Sequence, residues 1–153
     1  MMKRNPKVYL DTSVLSALFD DKNPERKNLT RIFFNQTENF QIFISDLTLA
    51  EIERTVNVQL KRKLQKLVDK FDVVKTNEDV ERVAEEYIKQ GAVPEGYPED
   101  AYHIALTVIY EMDYLLSWNF RHIVRKRTID VIRMVNTLHG LRQVEIMAPP
   151  EIL

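Results

Sequence analysis

Four oxygen-bearing side chains stand at points where distant parts of the chain could build one reaction site. Asp11 ends the apolar run Val8-Tyr9-Leu10, just before "TSVLSALF". A carboxylate in such surroundings is costly to bury unless it is paired or holds a cation. Glu51 lies in "SDLTLAEIERT", Asp100 in "PEDAYHIALT", and Asn119 directly after "YLLSW". Three carboxylates meeting in one cleft would repel one another unless a cation neutralised them. Hard oxygen ligands with retained waters suit Mg²⁺ or Mn²⁺. The chain has no cysteine, so thiolate ligands, disulfides and a cysteine nucleophile are excluded.

Each acid also has an ordinary reading. Asp11 can cap a helix that begins beside it. Asp100 falls in a first helical turn, where the macrodipole favours any carboxylate. It stands four residues before Ile104, a member of the apolar stripe, which turns it towards the core. Glu51 falls beside Leu47 on a helical wheel and Glu53 beside Leu49, so periodicity leaves both open. His103, one turn after Asp100, is expected to pack or hydrogen-bond locally and is not assigned as a ligand.

Short strands alternating with helices would position these groups. Strands are expected at "KVYL" (7–10), "QIFIS" (41–45), "FDVVK" (71–75), "YLLSW" (114–118) and "QVEIM" (143–147). Between them, Thr12 or Ser13 can cap a helix bearing Val14, Leu15, Leu18 and Phe19. Further helices are expected around Leu29 to Phe33, through "DLTLAEIERT", and from Leu60 to Lys70. The clearest carries Val80, Val83, Ala84, Tyr87 and Ile88 and ends at Gly91. Pro98 suits the first position of the next helix, and residues 120–135 suggest a last helix or pair of helices. Strands separated by helices imply an α/β fold with a mainly parallel sheet covered on both faces. In such sheets ligands gather at the strands' carboxyl ends, where strand order switches.

At 153 residues, 44% hydrophobic and 29% charged, the chain matches one ordinary domain, 1–153, and is neither disordered nor collagen-like. The apolar run before Asp11 is too short for a signal peptide, and nothing approaches a membrane span. A cytoplasmic location is the default expectation.

Taken together, "VYLDTSVL", "SDLTLAEIERT", "PEDAYHIALT" and "YLLSWNFRHI" resemble the four motif regions of the PIN-domain superfamily, in particular small prokaryotic proteins similar to VapC toxins. The resemblance covers nearly the whole chain in the expected order. It implies a three-layer α/β/α sandwich and a metal-dependent ribonuclease site with Asp11, Glu51 and Asp100 as metal ligands, and it favours Glu51 over Glu53. Asn119 stands where PIN proteins commonly have an aspartate. It keeps an acceptor oxygen but lacks charge, so it is expected to orient a metal-bound water and to weaken metal affinity. The resemblance also implies a homodimer and a cognate antitoxin.

An RNA substrate needs cationic surface beside the acids. "RHIVRKRTIDVIR" supplies Arg121, Arg125, Lys126 and Arg127 directly after Asn119, and "KRKLQKLVDK" supplies a second basic run. Trp118 or Tyr97 could stack on a base, although Trp118, at a strand end, is expected in the core. The net charge of −1 hides this uneven distribution. Rival readings lack their residues. A haloacid dehalogenase phosphatase needs a second aspartate where Ser13 stands, and the chain has neither a glycine-rich phosphate loop nor a G-x-S-x-G elbow. The alternative within the resemblance is a PIN fold degraded at Asn119 that binds RNA or a protein partner without cutting.

Overall fold

The computed structural model describes residues 4–153. Its sheet has five strands: β1 (Lys7–Leu10), β2 (Gln41–Ser45), β3 (Asp72–Val74), β4 (Tyr114–Leu116) and β5 (Glu145–Met147). The order is β3-β2-β1-β4-β5, and every neighbouring pair is parallel. The chain runs outward from β1 through β2 to β3, then returns to the other side of β1. This reversal makes β1 the topological switch point.

The seven helices are α1 (Thr12–Ala17), α2 (Pro24–Phe34), α3 (Asp46–Glu53), α4 (Val58–Val68), α5 (Glu78–Lys89), α6 (Pro98–Ile109) and α7 (Lys126–Leu138). Side-chain alternation along the strands assigns them to two layers. Val8 and Leu10 of β1 pack with Val14, Phe33, Ile52 and Leu64 on one face. Tyr9, between them, points to the other face, against Val80, Tyr87, Ile104 and Ile132. Helices α1 to α4 thus cover one side and α5 to α7 the other, giving the three-layer α/β/α sandwich. Each large apolar side chain so buried contributes about 1.5–3 kcal/mol.

Local chemistry fixes the element ends nearest the site. Asp11 caps α1, accepting from Val14 N–H, so of the caps the sequence offers, Asp11, Thr12 and Ser13, it is the acid that takes the place. β1 runs directly into α1 with one linking residue, and that residue is the acid. Gly91 closes α5 at φ +74°, with Gly91 N–H bonded to Ile88 and Ala92 N–H to Tyr87. This left-handed glycine stop begins the loop that leads to Pro98 at the first turn of α6. Residues after β4 form turns, and a single helix, α7, follows. Tyr87 Oη donates to Asn136 Oδ1, tying α5 to α7 inside the core.

Candidate active site

Asp11 is buried, 5% exposed, at the carboxyl end of β1. Its Oδ1 accepts from Ser13 Oγ and Val14 N–H, and its Oδ2 accepts from Ser117 Oγ at 2.6 Å. Ser13 Oγ in turn accepts from Trp118 N–H, and Ser117 Oγ from Asn119 N–H, both at 2.9 Å. The acid is therefore clamped between the start of α1 and the segment after β4. Burial pushes its carboxyl above the usual range, against the opposing pull of His103 and the serine bonds.

Glu51, on α3, faces His103, on α6. Their Oε1 and Nε2 atoms are 2.7 Å apart. Nδ1 of the same imidazole lies 2.6 Å from Tyr9 Oη, which also contacts Ser45 Oγ at 2.7 Å. When Tyr9 donates to Nδ1, the proton resides on Nε2 and donates to Glu51. His103 is thus buried and hydrogen-bonded, but across the sheet to residues 94 and 52 positions away, where local partners were expected. Burial disfavours its charged form, yet the Glu51 bond and the charges of Glu51, Asp11 and Asp100 raise its pKa. Glu51 feels burial too, but its bond and attraction to His103 leave its carboxyl below the usual range.

Asp100 lies in the first turn of α6, and its Oδ2 is 2.8 Å from His122 Nδ1. Burial raises its carboxyl, opposed by that bond and by the His122 charge. Asn119 Oδ1 accepts from His122 N–H at 3.0 Å, so the asparagine orients the residue that holds Asp100. Tyr97, half exposed, packs against His122 with ring centroids 4.1 Å apart and the planes tilted by 46°.

Asp11, Glu51, Asp100 and Asn119 all line one cavity of about 320 Å³ at the strands' carboxyl ends. Arg54 and His103 line it as well; from the sequence His103 is weighed and declined as a ligand, and Arg54 is not picked out. His103 left a usable signal, three residues after Asp100 and so on the same helical face. Arg54 left none, being one of many surface cations. Among the described residues, no three acidic or histidine side chains form a ready metal cluster. The reason is visible: Glu51 and Asp100 turn to imidazoles and not to each other. The donor set still suits a hard divalent ion. Two carboxylates are forced upward by burial, and Thr12 Oγ1, in the same cavity, is buried without a hydrogen-bond partner.

The basic run divides. Arg125 turns inward, its Nε donating to Thr128 Oγ1 at 2.8 Å and a terminal nitrogen to Ala92 O. Lys126 pairs with Asp130 at 2.8 Å. Arg121 and Arg127 are exposed. Trp118 is 8% exposed and packs in the core beneath α1 and α2.

A family model described as PIN domain matches residues 8–121, a span that contains Asp11, Glu51, Asp100 and Asn119. The chain belongs to the PIN-domain family. Three solved structures share its fold. VapBC-1 from nontypeable Haemophilus influenzae is 17% identical, covering 94% of this chain and 98% of that one, with a TM-score of 0.61. VapC20 from Mycobacterium tuberculosis, a toxin that cleaves the sarcin-ricin loop, is 17% identical over 74% of this chain and 92% of its own, with a TM-score of 0.59. VapBC2 from Rickettsia felis, bound to a DNA fragment from its promoter, is 16% identical over 74% and 89%, with a TM-score of 0.55. No curated protein matches this PIN chain by sequence. No described helix is long and apolar enough to cross a membrane.

Proposed function

We propose that this PIN protein is a metal-dependent endoribonuclease, the toxin component of a toxin–antitoxin pair acting on RNA in the cytoplasm. The observation that carries the reading is the convergence of Asp11, Glu51, Asp100 and Asn119, from four separate segments, on one cavity. The likeness in fold to VapC20 and to two VapBC assemblies supports the toxin role and motivates a cognate antitoxin and a homodimer.

Asp11, Glu51 and Asp100 would hold Mg²⁺ or Mn²⁺, directly or through waters, since Mg²⁺ commonly keeps several waters and takes few protein carboxylates. When bound, the ion activates water and offsets charge on the scissile phosphate. The protein's share is positioning and proton traffic. Ser13 and Ser117 fix both oxygens of Asp11. His103 holds Glu51, and His122 holds Asp100, so each acid meets the cavity at a set angle. One of the three carboxylates takes the proton of the attacking water. Asn119, its oxygen engaged by His122 N–H, has its amide N–H groups left to orient that water. Arg54 and the exposed Arg121 and Arg127 provide charge for phosphates.

A second reading has its own support. The imidazole partners of Glu51 and Asp100, with an uncharged residue at 119, favour a PIN domain that binds RNA or protein without cutting. Mn²⁺ titration of wild type and Asp11→Asn, with RNA cleavage followed in parallel, separates the two. The nuclease reading expects Mn²⁺-dependent cleavage by wild type and at least a hundredfold loss in the variant, as expected when a group central to the site is removed. Equal behaviour of the two proteins would end it.

A further inference from the structure

Beside the acid cavity, and sharing Ser13 with it, lies a second cavity of about 360 Å³. Its apolar walls come from Phe19, Leu60 and Trp118, and its polar edge from Ser16, Asp20 and Arg26. Trp118 is held rigidly, its Nε1 donating to Thr30 Oγ1 at 2.9 Å. The Arg26 guanidinium lies 4.8 Å from the Trp118 ring centroid and 5.8 Å from that of Phe120. Among the described residues, Arg26 forms no ion pair with a carboxylate. Phe120, the residue after Asn119, is 49% exposed and meets Trp118 edge-on at 6.1 Å. Lys63 places a further cation 5.8 Å from the Phe19 ring.

Core packing does not require this combination. An arginine without an acid partner is laid over aromatic faces, and a large aromatic is left in water beside a cleft. Both features match what a base next to a phosphate needs. An aromatic or guanidinium plane stacks on any base, a carboxylate such as Asp20 accepts from exocyclic amino groups, and free cations meet the neighbouring phosphates. The volume lies within the range of small-ligand pockets. We propose that this cavity is a nucleobase subsite, taking the base of a nucleotide adjacent to the phosphate handled in the acid cavity. Its place along the RNA rests on the ribonuclease reading, whereas base binding itself requires neither metal nor cleavage.

Trp118 is the only tryptophan in the chain and lines this cavity, so its fluorescence reports on the cavity wall. Metal-free protein is titrated with AMP, CMP, GMP and UMP, and with ribose 5-phosphate as the base-free probe. Saturable quenching by at least one nucleotide, and none by ribose 5-phosphate, is expected. Arg26→Gln and Phe120→Ala should each weaken nucleotide binding about ten- to a hundredfold. Ser16→Leu, which narrows the cavity, should abolish quenching with an unchanged far-ultraviolet circular dichroism spectrum. In Mn²⁺-supported cleavage the same variants should raise KM or alter the base preferred beside the cut. Nucleotide quenching without any cleavage sinks the nuclease reading and leaves the subsite standing. Cleavage that persists with no quenching, and with cut-site preference unchanged in all three variants, overturns the subsite alone. Equal quenching by ribose 5-phosphate, or a response only to a protein partner, overturns it as well.

Discussion

At the scale of single residues, Asp11 combines two roles that usually compete. It caps α1, and it is a buried carboxylate whose charge burial disfavours. Its folded pKa is raised, so between the ordinary aspartate value and the raised one the native state binds more protons than the unfolded chain. Stability therefore falls as pH rises through that window, and the full penalty persists above it. Asp11→Asn keeps a capping oxygen and removes the charge. In metal-free buffer at neutral pH the variant should lose the penalty of a buried charge and show the higher Tm. The gap should close as the solution is made acidic, and calorimetry across pH checks it. Asn119→Asp restores a charge beside the same acids, so Mn²⁺ should bind at least several-fold more tightly, read by calorimetric titration. Unchanged Mn²⁺ affinity would show that position 119 does not sense the ion. The charged sites were legible in the sequence as residue types near strand ends. Their partners were not, because the Tyr9–His103–Glu51 chain joins residues whose meeting depends on strand order.

At the scale of elements, most strands and helices follow from apolar spacing, and their ends follow from side chains that cap. Asn23, Ser45, Asn57 and Asn77 each accept from a backbone N–H to start a helix. Gly91 has a different duty, since its positive φ stops α5 and aims the chain towards α6, which bears Asp100 and His103. Gly91→Ala forces a Cβ into the left-handed region, with the flexible end of Arg127 3.3 Å away. A loss of about 1–2 kcal/mol is expected in urea unfolding; no change in midpoint would refute the strain. The element boundary least readable in sequence was the start of α7. Arg125, counted among RNA-facing cations, instead bonds Thr128 and Ala92, and no spacing pattern distinguishes an inward arginine from a solvated one.

For the molecule as a whole, the alternation of strands and helices announced a parallel α/β sheet, whereas the order β3-β2-β1-β4-β5 came only with the structure. Arg121, in the turns after β4, and Arg127, in the first turn of α7, are both exposed. Replacing both with alanine should weaken RNA binding and reduce the slope of log affinity against log salt by about 2. Arg125→Ala should instead lower thermal stability with little change in that slope. Fluorescence anisotropy at several salt concentrations, together with melting curves, distinguishes the two outcomes.

The middle strand of the sheet is the first one made, and its neighbour β4 comes more than a hundred residues later, with the Ser117 hydroxyl that clamps Asp11. A ribosome partway through translating this chain therefore carries an acid with half its clamp missing and a sheet lacking its central pairing. A stop codon anywhere before Ser117 should yield a fragment without the β4 pairing, half of the Asp11 clamp or Asn119, and so without a completed acid cavity.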